Sequence, residues 1–246
     1  MENLALLPFL GFIAGSLGAL IGAGGAARAV AFVMADEIGQ SGHITIVNRT
    51  TATAAGLAAA VYEAYGNTSS APESGLASAI ADADLVINAS TRGQSGLRSQ
   101  PDDQTTCLEP YSSLAPCNPA SLSQEQYADN SLLMRAWYQA SLKDIAENQS
   151  RSAQAVLSAG GRTRFYDIVY APLETAMLRQ ARLAGYETLN GNYSRTTRLD
   201  GLSFRVPGPQ DDELLEPAVR RLHLRVRDSP RPGEQWPVVK ISNSRV

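Results

Sequence analysis

The sequence predicts an α/β protein built on a doubly wound parallel sheet, and three observations carry that prediction. Short apolar runs at 17–21, 44–47 and 84–88 alternate with Ala-rich stretches of helical period, and such alternation indicates parallel strands joined by right-handed crossovers. A glycine-rich turn at 22–25 links the first run to the first helical stretch. After a long polar interruption the rhythm returns, with a strand-like run at 165–170, a helix from Pro172 to about Leu183 and a short strand at 186–189.

Taken in order, the first element is the hardest to read. Residues 3–27 carry no charge, and 4–21 are largely apolar, with Gly11/Gly15 and Gly18/Gly22 spaced four apart as in membrane-helix interfaces. A signal peptide calls for a basic start, but the only early charge is Glu2. A membrane anchor is long enough to be physical. The preferred reading splits the run into an apolar segment 1–16 and a buried strand 17–21, because a turn, a helix and a second strand follow. Helix 26–38 ends at Gly39, and Ile44-Thr45-Ile46-Val47 is a short buried strand bounded by Gly42 and Asn48. Thr50 or Thr51 can cap helix 53–65, which stops at Gly66-Asn67, and a short helix at 73–80 leads into strand 84–88.

Residues 92–126, rich in Ser, Gln, Pro and Asn, read as a polar surface excursion that holds both cysteines, Cys107 and Cys117, as ordinary free thiols. Leu132, Leu133, Ala136, Trp137, Ala140, Ile145 and Ala146 recur at helical spacing, with Gly160-Gly161 as terminator. Beyond Gly191 no period holds for long; prolines punctuate 192–246, where 213–224 is the one candidate helix. The resulting division is an apolar segment 1–16, a domain 17–191 with an insertion 92–164, and an irregular tail 192–246.

Composition bounds the function. The chain has 246 residues, 44% of them hydrophobic, and a net charge of −3. That excludes a wholly disordered chain and argues against nucleic acid as the main partner. His43 and His223 stand apart, so no metal centre is expected. Among 21 basic residues only Lys143 and Lys240 are lysines.

The chemistry-bearing constellation begins at Gly22-Ala23-Gly24-Gly25-Ala26-Ala27. Gly22 permits a tight turn, Gly24 lets the backbone approach a diphosphate, and Ala27 takes the third small position where helix and strand meet. The helix N-terminus offers free N–H groups to the phosphates. At the end of the second strand, where a carboxylate would favour NAD, stand Asn48-Arg49-Thr50. Arg49 can pair with a 2′-phosphate and its neighbours can hydrogen-bond to it, so NADP is the favoured ligand.

These residues resemble the NADP-binding domain of the shikimate dehydrogenase family. Gly22-Ala23-Gly24-Gly25-Ala26-Ala27-Arg28-Ala29, Ile44-Thr45-Ile46-Val47-Asn48-Arg49-Thr50 and Ala83-Asp84-Leu85-Val86-Ile87-Asn88-Ala89-Ser90 carry the likeness, which resumes at Tyr166-Asp167-Ile168-Val169-Tyr170-Ala171-Pro172-Leu173-Glu174-Thr175 and runs to Asn190-Gly191. It covers 22–91 and 165–191. The resemblance implies a Rossmann-like fold and cofactor contacts from Gly22, Ala23, Gly24, Gly25 and Ala26 and from Asn48, Arg49, Thr50 and Thr53. Asn88 and the Ala89-Ser90-Thr91 turn would border the cofactor. Ile168 and Gly191 would flank the nicotinamide half, and Asp167 would be a structural hydrogen-bond partner. Tyr170 would either reach the substrate or be a buried aromatic with a satisfied hydroxyl.

The implied activity is NADP-linked interconversion of 3-dehydroshikimate and shikimate, or of a quinate-type polyol acid, by a cytoplasmic oxidoreductase of aromatic amino acid biosynthesis. Departures qualify it. The family's second basic residue after Asn-Arg-Thr is Thr53 here, and its Gly-Met-Leu run and substrate glutamine are replaced by Asn192-Tyr193-Ser194-Arg195. The family's substrate domain and catalytic Lys–Asp pair precede the glycine turn, whereas the 21 residues before Gly22 contain neither lysine nor aspartate. No catalytic residue is therefore assigned. The chain is expected to bind the dinucleotide with little turnover alone, either as half of an enzyme completed by a separate substrate domain or second copy, or as a non-catalytic cofactor-binding module.

Overall fold

The structure, a computed structural model, describes residues 15–100 and 102–191. Nine strands and five α-helices are present among them, beginning with β1 (Leu17–Ile21), α1 (Gly25–Ile38), β2 (His43–Asn48), α2 (Thr51–Tyr65) and β3 (Thr68–Pro72). There follow α3 (Leu76–Ala81), β4 (Leu85–Asn88), β5 (Leu97–Ser99), β6 (Gln104–Cys107) and β7 (Leu122–Ser123), then α4 (Asn130–Ser158), β8 (Arg164–Asp167), α5 (Ala176–Leu183) and β9 (Glu187–Asn190). Six strands form one parallel sheet in the order β3-β2-β1-β4-β8-β9. This is a Rossmann-like doubly wound sheet, whose order reverses between β1 and β4.

The apolar runs are continuous because both faces of the central strands are covered. Leu20, Ile44, Ile46, Leu85 and Ile87 point to one face, where Ala27, Ala31, Met34, Ala35 and Ile38 of α1 and Ala54, Leu57, Ala58 and Val61 of α2 meet them. Ala19, Ile21, Val47, Val86 and Phe165 point to the other, under α3, the end of α4 and α5. Each fully buried Leu or Ile contributes about 1.5–3 kcal/mol. Alanines on α1 and α2 let those helices lie close to the sheet. Gly39 (φ 64°) ends α1, and Gly66 in the left-handed region ends α2.

Residues 92–126 do not form the polar surface excursion that composition suggests. β5, β6 and β7 make a small antiparallel sheet, and Cys107, Tyr111, Ser112, Ser113, Leu114 and Ala115 are all buried. Several polar groups of this segment are satisfied by α4, a helix of 29 residues. Asn148 accepts from the Ser112 amide (2.9 Å) and donates to the carbonyls of Ser112, Ala115 and Pro116. Ser141 accepts from the Ala120 amide, and the Trp137 indole donates to the Ala120 carbonyl at 2.8 Å. Asp129 caps the helix by accepting from the amides of Ser131 and Leu132.

Other expectations shift at their ends. The helix expected from Pro172 begins at Ala176, because Thr175 is its cap. The strand expected at 165–170 stops at Asp167, and β3, which composition concealed, forms the sheet edge. Strand β1 follows the split reading of the apolar run. Residues 1–14 of that run and the tail 192–246, with its candidate helix 213–224, lie outside the described residues. Among the described residues no helix is long and apolar enough to cross a membrane.

Replacing Asn148 with Ala leaves the buried amide and carbonyl of Ser112 without their partner and takes one donor from each of the Ala115 and Pro116 carbonyls. Urea unfolding is expected to show a loss of about 3 kcal/mol, whereas a loss within the ±0.5 kcal/mol typical of surface sites would contradict this role for Asn148.

Candidate functional site

The carboxyl edge of the sheet is held together at the turn after β1. Gly22 has φ 114°, and a Cβ there would lie 2.9 Å from the carbonyl carbon and oxygen of Ala89. Its amide donates to the Val47 carbonyl (2.8 Å), and the Ala89 amide donates to the Ile21 carbonyl (2.8 Å). The turns after β1, β2 and β4 therefore interlock. Beyond Gly22 the space opens, since a Cβ on Gly24 or Gly25 would meet nothing within 4 Å. Ala23 is half-buried and Ala26 exposed, while Ala27 is fully buried in the seam between α1 and the sheet. Gly24 caps α1 without a side chain, leaving first-turn N–H groups that lack intrahelical partners facing this space.

Next to it, β2 ends at Asn48, whose amide donates to the Thr50 carbonyl at 3.2 Å. Arg49, Thr50 and Thr53 are exposed, and Arg49 has no carboxylate partner among the described residues. Thr50 occupies the cap position of α2 without a side-chain cap bond, so its hydroxyl remains available.

Asn88, at the end of β4, is fully buried. It donates to Asp167 Oδ1 (2.9 Å) and the Arg92 carbonyl (3.1 Å), and accepts from the Ser90 amide (3.0 Å) and hydroxyl (2.6 Å). All its capacity is used inside the edge, so it shapes the turn rather than facing the open space. Asp167 also accepts from the Val169 amide (3.0 Å) and the Thr175 hydroxyl (2.7 Å). Burial pushes its carboxyl up to about 6, against the lowering pull of those three hydrogen bonds. Ile168 is half-buried, and Gly191 lies so close that a Cβ would fall 2.5 Å from the Ile168 carbonyl oxygen. Tyr170 is 56% exposed, which excludes the buried alternative for it.

Several members of this edge carried no local sequence signal. Thr175 and Asn190 hold the loop after β8, with Asn190 donating to the carbonyls of Val169, Pro172 and Leu173. Arg92 forms a largely buried ion pair with Glu73 and donates to the Ala115 carbonyl at 3.0 Å, tying the β4 turn to the segment between β6 and β7. Spacing cannot reveal partners 79 residues apart, such as Asn88 and Asp167. Both cysteines are free thiols, and burial raises both above the usual thiol range, so neither is an activated nucleophile. A shallow hollow of about 510 Å³ on α4, lined by residues including Lys143, Glu147 and Arg151, shares no residue with this edge.

The strand order and the glycine turn at its switch point define a Rossmann-type domain of the dinucleotide-binding class. Its sequence is similar to the NADP-dependent shikimate dehydrogenases. That of Methanosarcina acetivorans is 32% identical over 189 residues, which is 76% of this chain and 48% of the relative. The Methanosarcina mazei enzyme is 30% identical over 181 residues, 73% of this chain and 45% of the relative. The chain thus spans about half the length of the curated relatives it matches. A solved shikimate 5-dehydrogenase from Listeria monocytogenes, in complex with shikimate and NAD, aligns with a TM-score of 0.49 at 18% identity, covering 77% of this chain and 50% of that one. A quinate dehydrogenase from Corynebacterium glutamicum in complex with NAD aligns with a TM-score of 0.46 at 23% identity, over 72% of this chain and 45% of that one. No family model matches.

The raised carboxyl of Asp167 has a consequence for stability. Between about pH 4 and 6 the folded chain keeps a proton that the unfolded chain releases, so stability falls as pH rises through that window. With a folded value of about 6 against 3.8, the full change is about 3 kcal/mol. Unfolding free energies of the wild type and Asp167→Asn, compared from pH 4.5 to 7.5, are expected to move in the variant's favour as pH rises. A pH-independent difference contradicts the assignment.

Proposed function

We propose that this chain is the NADP-binding half of a shikimate dehydrogenase-like oxidoreductase, serving the interconversion of 3-dehydroshikimate and shikimate or of a quinate-type polyol acid. Residues 17–191 are its cofactor-binding domain, with 92–164 as an insertion, and its setting is the cytoplasm. The observation that carries the reading is the end of β2, where exposed Arg49 stands between Asn48 and Thr50 without a carboxylate partner among the described residues. A free guanidinium there attracts a 2′-phosphate, just as a carboxylate would repel one.

The residues present fit the group. Gly22 brings the β1 and β4 turns together, and open space over Gly24 and Gly25 lets a diphosphate approach the N–H groups of Ala23, Gly24, Gly25 and Ala26 and the positive end of α1. Arg49, Asn48 and Thr50 hold the 2′-phosphate, and Thr53 adds a hydroxyl where a second cation would bind more tightly. Ile168 and Gly191 flank the nicotinamide half, Tyr170 reaches the substrate, and Asn88 keeps the β4 turn in shape. NADP, when bound, supplies the hydride carrier. The substrate hydroxyl also needs a side chain to move its proton. Among the described residues the sole lysine, Lys143, stands 91% exposed on α4, so proton transfer is assigned to a substrate half or domain acting with this one.

Arg49→Ala tests the reading by calorimetric titration. Loss of a charge-assisted pair costs about 2 kcal/mol, or roughly 30-fold in NADPH affinity, with NADH binding nearly unchanged. An equal loss for both nucleotides refutes the 2′-phosphate role of Arg49.

A further inference from the structure

The last residues of β4, β8 and β9 stand side by side, since Asn88 is in register with Asp167 and Asp167 with Asn190. Register partners point to the same face of a sheet, and here all three are polar. From this row the loop 168–175 is tied down along its length. The Ile168 amide donates to the Asn88 carbonyl (3.0 Å), and the Val169 amide and Thr175 hydroxyl donate to the two oxygens of Asp167. Asn190 binds the carbonyls of Val169, Pro172 and Leu173, and from the small-sheet side the Ser95 amide donates to the Ala171 carbonyl at 2.8 Å.

Apolar contacts fix only the start of this loop, where Ile168 packs against the core and Val169 is buried. Leu173 is 72% exposed and Tyr170 56%, while Val169 is its one well-buried apolar side chain. Beyond Val169 its position is set by hydrogen bonds, and the Thr175–Asp167 bond closes it, joining the loop's far end to the strand end where it starts.

We propose that Asp167 and Thr175 are positioning residues for the nicotinamide half of the cofactor, because their hydrogen bond fixes the loop that carries Ile168 and Tyr170 opposite Gly191. The inference rests on the cofactor reading above and adds a division within it. The adenosine half depends on the β1 and β2 turns, and the nicotinamide half depends on a clasp made by residues that need not touch the cofactor. The clasp tolerates little movement, since Gly191 already sits within van der Waals contact of Ile168, with room for no side chain between them.

Two ligands separate the halves: NADPH, and ADP-ribose 2′-phosphate, which lacks only the nicotinamide. Thr175→Val removes the hydroxyl and keeps the shape. It is expected to weaken NADPH about tenfold, with ADP-ribose 2′-phosphate changed less than about twofold, and Thr175→Ser is expected to restore NADPH binding. Asn190→Ala, which frees three carbonyls of the same loop near solvent, is expected to show the same selective loss and serves if Thr175→Val does not fold. Equal weakening of both ligands, or no change in either, overturns the positioning role while leaving the cofactor reading intact. A wild-type chain that binds neither ligand overturns both.

Discussion

Between the turns after β1 and β4 there is room for a hydrogen atom and nothing larger. Gly22 fills it, and a side chain there would overlap the Ala89 carbonyl while the backbone sits in a conformation that other residues rarely adopt. The rest of the edge depends on this contact. It lies where the strand order reverses, with β2 and β3 to one side of β1 and β4, β8 and β9 to the other, so the helices depart to opposite faces and leave a crevice at the strand ends. The close approach of Gly22 sets the entry of α1, and the β4 turn that it meets leads through Asn88 into the β8 loop. An exposed guanidinium beside the open start of α1 on one side and a hydrogen-bonded loop on the other are thereby assembled from segments far apart in the chain.

The parts of this arrangement that the amino-acid order made legible are those with local causes. Strands β1 and β4 and the Ile44–Val47 run of β2 are legible because the sheet is covered on both faces, so their residues are mostly apolar or β-branched. The glycine turn and Asn48-Arg49-Thr50 are legible because strand, turn and helix follow one another directly. Strand β3 is not, because Thr68-Ser69-Ser70-Ala71-Pro72 is a polar edge that needs one neighbour and tolerates a proline. The small sheet is concealed for a different reason. Between the segment that links β6 to β7 and α4 the buried residues include Ser112, Ser113, Asn148 and Ser152, so the usual reading of polarity as exposure fails where polar groups satisfy one another. The same substitution of polar for apolar contacts makes the pattern of α4 fade after Ala146, although the helix continues to Ser158. Within the site, Asp167 is recognisable as a structural partner, but Thr175, Asn190 and the Arg92–Glu73 pair appear only when separate strand ends are brought together.

Two kinds of anchoring thus meet at one edge. On the β1–β2 side the backbone is fixed by burial and glycine geometry, and the exposed side chains of Arg49, Thr50 and Thr53 stay available to a ligand. On the β4–β8–β9 side almost every polar side chain is engaged, and what remains exposed is Tyr170 with its apolar neighbour Leu173. The first side leaves a cation and hydroxyls open to solvent, the second an aromatic and an aliphatic side chain.

The proposed binding mode lays a phosphorylated dinucleotide across the glycine turn with its 2′-phosphate at the end of β2. Amide chemical-shift mapping of the isotope-labelled chain during addition of NADPH tests it most directly. The largest shifts are expected at the amides of Ala23, Gly24, Gly25 and Ala26 and at Arg49, Thr50 and Thr53, with little change along α4. Shifts concentrated on the α4 hollow around Lys143 and Arg151, or none at the glycine turn at saturating NADPH, would contradict it.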